Sequence, residues 1–238
     1  MKRGLSSCGF SFMPNSRIVK NSPAIDAIDS PEVRHAVDSA ADSDIPVITF
    51  NSDLKRSRRL CFVGQDLYGS GQVAADLLGK FMGARGNVFI LNGFHMFEAH
   101  QERLAGFQSV IENYSDIKVV AVEEDLDDDI VAFEKTSQIL ELFPDLGGIY
   151  IIGAGINGVG KAVKKYAKAG KTKIVCNDLV PETVELLSED VIDATIFQDP
   201  VSQGKLPIKL LFDLLFENIQ PSREIYYTKT EIITKYLI

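Results

Sequence analysis

Five polar residues stand where short apolar runs give way to turns: Asn51, Asp53, Asn92, Asp178 and Gln198. A sixth, Arg103, lies one turn into a helical stretch that follows the run ending at Asn92. A guanidinium flanked by carboxylates and amides suits recognition better than bond making. Vicinal hydroxyls each donate and accept a hydrogen bond, and this set of side chains supplies both roles. Taken singly, each of these residues is an ordinary cap or turn residue, so the joint pattern carries the expectation of a hydroxyl-binding site.

Other chemistries are less well supplied. No G-x-S-x-G, Walker loop or cysteine–histidine signature is present, and no residue is nominated as catalytic. Gly153-Ala154-Gly155-Ile156-Asn157-Gly158 satisfies G-x-G-x-x-G between an apolar run and a helical stretch, and Asp178 follows at the distance of a ribose-binding acid. That fingerprint belongs on the first strand of its sheet, whereas at least three strand–helix units precede it here. Glycines also serve simply to turn a chain tightly. An NAD-dependent enzyme is therefore the last of three readings, and no cofactor is expected. His95 and His100 are five residues apart with no cysteine beside them, which points to surface or packing roles rather than a metal site. The acidic run Glu123, Glu124, Asp125 and Asp127–Asp129 reads as a solvated loop and helix cap.

The elements that must position these residues alternate. Ser30 reads as an N-cap, with Pro31 at the first helical position and Val33, Ala36, Val37 and Ala40 at helical spacing. Apolar strand-like runs follow at 45–50, 58–66, 86–93, 117–124, 147–153, 171–178 and 191–199, with helical stretches between most of them and a long one at 200–219. The closing segment, 225–238, is strand-like again, and GFSFMPN (9–15) fits a strand and its turn. Strands that are apolar throughout, separated by helices, predict an α/β fold with parallel sheets covered on both faces.

Bulk properties narrow the partners. The chain has 238 residues, 45% hydrophobic and 24% charged, with a formal net charge of −8 and no basic run. Such a balance repels nucleic acid and anionic membrane surfaces. Cys8, Cys61 and Cys176 are too few and scattered for a disulfide framework, and the last two sit in apolar runs as small core residues. Reduced cysteines, no secretory-type apolar leader and no run near the ~18 apolar residues of a membrane span give the expectation of a cytoplasmic protein.

Several segments in order, IPVITFNSD, FVGQDLYGSG, ERLAGF, CND followed by PET, and ATIFQDPVSQG, resemble the sugar-binding domain of LacI/GalR-type transcriptional regulators over roughly residues 30–238. The resemblance implies two Rossmann-like lobes of the periplasmic-binding-protein-like I type, with a small sugar or related polyol held between them. It places one lobe at 1–64 plus 199–226 and the other at 66–197 plus 228–238. It also implies a homodimer and ligand contacts from Asn51, Asp53, Asn92, Arg103, Asp178 and Gln198. The family often has an Asn-Asp pair where this chain has Gly155-Ile156. No helix-turn-helix headpiece is recognisable, and residues 1–29 offer at most one strand where several are expected, so the first lobe is expected to be incomplete. The leading expectation is a regulator's effector domain that does not itself bind DNA. The alternative on the same fold is the solute-binding receptor of a sugar transporter.

Overall fold

The computed structural model describes residues 22–238. The strand expected at 9–15 and Cys8 lie outside them. The described residues divide into two compact units: one takes the chain up to Gly64 together with Pro200–Tyr227, the other Gln65–Asp199 with Thr228–Ile238.

The first unit is built on a four-stranded sheet of β1 (Ala24–Ile25), β2 (Ile48–Phe50), β3 (Cys61–Gly64) and β9 (Ile225–Tyr227), in that order and all parallel. Helix α1 (Pro31–Asp42) starts as its sequence predicts: Ser30 is extended and its hydroxyl accepts the amide of Val33, with Pro31 in the first turn. Neighbouring residues of one strand point to opposite faces. Ile25 and Val47 pack with Val33 and Val37 of α1, whereas Ala24 and Ile48 pack with Leu210, Leu211 and Leu215 of α7 (Pro200–Glu217). Cys61 is fully buried in this second cluster, and burial pushes its thiol up to about 11, as suits a core residue rather than a nucleophile.

The second unit holds a six-stranded sheet, ordered β10-β8-β7-β6-β4-β5: β10 (Glu231–Ile233), β8 (Ala194–Phe197), β7 (Lys173–Asn177), β6 (Leu146–Ile151), β4 (Arg85–Asn92) and β5 (Asp116–Glu124). Only β10 runs antiparallel, against β8. The central runs Phe89–Leu91, Ile149–Ile151 and Ile174–Cys176 are fully buried, because both faces are covered. On one face Ile90, Tyr150 and Val175 meet α2 (Leu67–Phe81) and α3 (Glu98–Ile111). On the other, Phe89, Ile151 and Cys176 meet α4 (Asp129–Leu142), α5 (Ile156–Lys165) and α6 (Pro181–Ser188). The α/β class with parallel sheets read from the sequence is the class observed.

Helices α2 and α3 touch backbone to backbone. A Cβ on Gly71 would lie 2.0 Å from the Arg103 carbonyl oxygen, and one on Gly106 the same distance from that of Tyr68. Only glycine permits this approach, and the approach sets the depth at which α3 carries Arg103.

A deeply buried ion pair in the first unit joins the turn after β2 to the chain before β3. Asp53 accepts from Thr49 Oγ1 (2.7 Å), its neighbour's amide at Leu54 (2.7 Å), and both Nε and a terminal nitrogen of Arg59. Arg59→Met would leave that carboxylate buried without its counter-charge. We expect a loss of ~3–5 kcal/mol in urea unfolding, and a loss below ~1 kcal/mol would show the pair to be as weak as a surface one.

Candidate functional site

Parallel strands end together, so the turns after β4, β6, β7 and β8 gather at one edge of the second unit's sheet, where α/β folds place ligands. Asn92 closes β4 and is buried, its Oδ1 without a partner among the described residues. Asp178 follows β7 with a positive φ of 71°, and its Oδ1 accepts from Gln198 Nε2, just beyond β8, at 2.5 Å. Asp178 and Gln198, twenty residues apart in sequence, are thus brought together.

Arg103 is placed differently from the open clamp that the sequence suggests. Its side chain is buried, one terminal nitrogen donating to the Ile152 carbonyl (3.2 Å) and the other to Gln65 Oε1 (3.2 Å), while Gln65 Nε2 donates to the Phe197 carbonyl. The guanidinium ties α3 to the ends of β6 and β8. Asn177 does similar work: its amide donates to the Tyr150 hydroxyl and to the carbonyls of Ile151 and Ile152, and its oxygen accepts from Ser70.

Asn51 and Asp53 belong to the other unit. Asn51 adopts φ 60° after β2 and donates from Nδ2 to Asp26 (2.9 Å). Asp53, as described above, is committed to Thr49, Leu54 and Arg59.

A cavity of about 320 Å³ opens at the sheet edge of the second unit, lined by Asp127, Asp129, Gly153–Asn157, Asp178, Val180 and Glu182. Its size lies at the small end of ligand pockets, ~300–1,000 Å³. The acidic run, read as a solvated loop and cap, has three distinct roles here. Asp128 does cap α4, accepting from the amides of Ile130 and Val131. Asp127 and Asp129 instead reach across to the glycine turn: Asp127 Oδ1 accepts from the Ala154 amide (3.0 Å), and Asp129 from the Gly158 amide (3.2 Å) and Asn157 Nδ2 (2.9 Å). They hold the start of α5, where a pyrophosphate would have to bind, so the G-x-G-x-x-G turn is occupied by the chain's own anions. The third role is burial. Asp125 is fully enclosed, accepts from the Asp127 amide, and has Oδ2 without a partner. Gly155, at φ 75°, makes room for it: a Cβ there would stand 2.0 Å from that oxygen. The signal for these residues was in the sequence as a charge run, but not its direction.

Among the described residues no group of three or more His, Cys, Asp or Glu is arranged to hold a metal, and no helix is long and apolar enough to cross a membrane.

With the geometry in view, residues 24–218 match the family described as the periplasmic binding protein domain. The chain is 28% identical over 189 residues to the xylose/arabinose-binding protein XylF of Sulfolobus acidocaldarius, covering 73% of this chain and 46% of that one. It is 29% identical over 154 residues to the D-allose-binding periplasmic protein of Escherichia coli, covering 64% and 50%. The chain thus spans about half the length of these relatives. The crystal structure of a sugar-binding protein of a sugar ABC transporter from Bacillus halodurans superposes with a TM-score of 0.84 at 29% identity, covering 94% of this chain and 82% of that one.

These findings correct the leading expectation. The relatives are named as sugar-binding proteins, and the Bacillus halodurans structure as the sugar-binding protein of an ABC transporter, rather than as LacI/GalR-type regulators, so the effector-domain reading is overturned. The cytoplasmic expectation falls with it, since a relative is named as periplasmic. The homodimer, expected on regulator grounds, loses its basis. What stands of the resemblance is the periplasmic-binding-protein-like fold.

Burial raises the Asp125 carboxyl to about 7, against ~3.9 in an unfolded chain. The folded state therefore holds this proton more tightly, and its contribution to stability declines as pH rises from about 4 to about 7. Asp125→Asn removes that decline. In urea unfolding the variant is expected to gain on the unmodified chain by up to ~4 kcal/mol between pH 4 and 8, and a constant difference would show that Asp125 does not titrate in this window.

Proposed function

The chain belongs to the periplasmic binding protein domain family, and we propose that it is a solute receptor that binds a small uncharged sugar and hands it to a membrane transporter. The observation that carries this reading is the cavity at the strand ends, lined by the carboxylates of Asp127, Asp129, Asp178 and Glu182 and, among the described residues, by no lysine or arginine. Sugar-binding relatives and a sugar-transporter neighbour support it. Delivery to a transporter implies work outside the cytoplasm. Binding needs no bond to be made or broken.

The charge of the lining decides the ligand class. Asp127, Asp129, Asp178 and Glu182 all face the cavity. An anionic ligand within about 4 Å of any one of them would meet ~1–4 kcal/mol of repulsion, whereas sugar hydroxyls donate to carboxylates with strong, charge-assisted hydrogen bonds. Sugar phosphates and dinucleotides are disfavoured on the same ground.

In this reading Asp178, Gln198 and Asn92, at the strand ends of the second unit, contact the sugar. Asp53 and Arg103 act as positioning residues: the first fixes the turn that carries Asn51, the second fixes the ends of β6 and β8. Each works through its protein partners rather than on the ligand.

A thermal melt with D-xylose, D-arabinose, D-allose, D-ribose, a sugar phosphate and NAD tests the reading. A sugar at about 100 times its Kd adds ~2.7 kcal/mol of stability and moves the melt visibly. Asp178→Ala should weaken binding of that sugar by about 10–100-fold in calorimetry, the equivalent of one lost hydrogen bond to a charged group. A shift with NAD or the sugar phosphate alone, or with no compound, would overturn the assignment.

A further inference from the structure

We infer that His100 is a ligand contact of the same site, accepting a sugar hydroxyl through Nε2; this rests on the sugar-binding reading above. Sequence patterning gives His100 a surface or packing role, but its surroundings are more specific than that. His100 stands in the first turn of α3, which begins after Phe97 without a side-chain cap. The loop before the helix folds back onto it instead: His100 Nδ1 lies 2.9 Å from the Phe94 carbonyl, and Gln101 Nε2 donates to the His95 carbonyl.

That one contact fixes the ring's chemistry. A carbonyl only accepts, so Nδ1 carries the proton, and a neutral imidazole then presents a bare lone pair at Nε2. The bond to Phe94 engages Nδ1 and leaves Nε2 outside it. The ring is held edge-on against Phe97, centroids 5.7 Å apart.

The ring also lies beside the cavity wall. A Cβ built on Gly93, at the end of β4, would be 2.4 Å from Asp127 Oδ1 and 2.5 Å from His100 Cε1. A Cβ on Gly153 would be 2.6 Å from the same Asp127 oxygen. The imidazole and a cavity-lining carboxylate therefore crowd one spot between two glycines, where a side chain on either would fill the space. The charged groups facing the ring are Asp127 from the acidic loop, Asp178 from the end of β7 and Arg103 from its own helix. The two carboxylates favour an imidazolium, while Arg103 opposes it. Burial outweighs the rest and lowers the titration of His100 below its ordinary value, which keeps Nε2 an acceptor at neutral pH.

Calorimetric titration of the full chain with D-allose, D-arabinose and D-xylose between pH 5 and 8 tests this, using the unmodified protein, His100→Gln and His100→Leu. At pH 7.5 we expect His100→Leu to lose at least tenfold in affinity and His100→Gln, whose amide oxygen still accepts, only a few-fold. The unmodified chain should bind progressively less well toward the acid end of that range, because protonation removes the acceptor, and His100→Gln should be level throughout it. Sugar binding that His100→Leu leaves unchanged, or a pH profile that His100→Gln preserves, would overturn the role of His100 while leaving the receptor reading intact. No binding of any sugar by the unmodified chain would overturn both.

Discussion

Coverage of the six-stranded sheet on both faces is the constraint from which the rest of the second unit follows. A strand sandwiched between helices has no solvated side, so Phe89–Leu91, Ile149–Ile151 and Ile174–Cys176 are apolar at every position. Each such side chain contributes ~1.5–3 kcal/mol by leaving water, and a polar substitution within these runs would forfeit that and leave a buried group to satisfy. Polarity is thereby driven to the ends. Because the strands are parallel, their ends coincide, and Asn92, Asp178 and Gln198 come to one edge without any local sequence relation. The polar edge follows from how the core is buried.

Charge at that edge is arranged around a glycine turn that could, with other neighbours, hold a phosphate. The backbone amides at the start of α5 attract anions whatever their source. Here the chain supplies them itself through Asp127 and Asp129. An external anion is thus displaced in advance, and the carboxylates, anchored through one oxygen or both, present an acceptor-rich wall. Asp125 beneath them is enclosed and holds its proton up to about 7, which limits the mutual repulsion of the acidic loop.

Much of this was legible in the sequence because its causes are local. The Ser30-Pro31 helix start, the buried runs and the alternation of strand and helix depend on neighbours within a few residues. The contacts of Arg103 and Asp53 were not legible, because their partners lie elsewhere: Ile152 and Gln65 for the one, Arg59 and Thr49 around a turn for the other. A residue type suited to clamping a ligand is equally suited to clamping a backbone carbonyl, and only the fold chooses. The acidic run was visible as charge, yet its reach toward Ala154 and Gly158 arises from packing of α4 beside α5. The segments that resemble a regulator's sugar domain belong to a scaffold that transport receptors share. They identify the fold, and they do not separate the two uses of it.

The glycine contact between α2 and α3 has a consequence for how such a protein changes over generations. Gly71 and Gly106 touch no ligand-facing group, yet any larger residue at either would lift α3 off α2 and displace Arg103 along with the strand ends it ties together. Selection on the geometry of the strand ends can therefore act on two positions that look like mere spacers. A library restricted to the cavity wall would miss them.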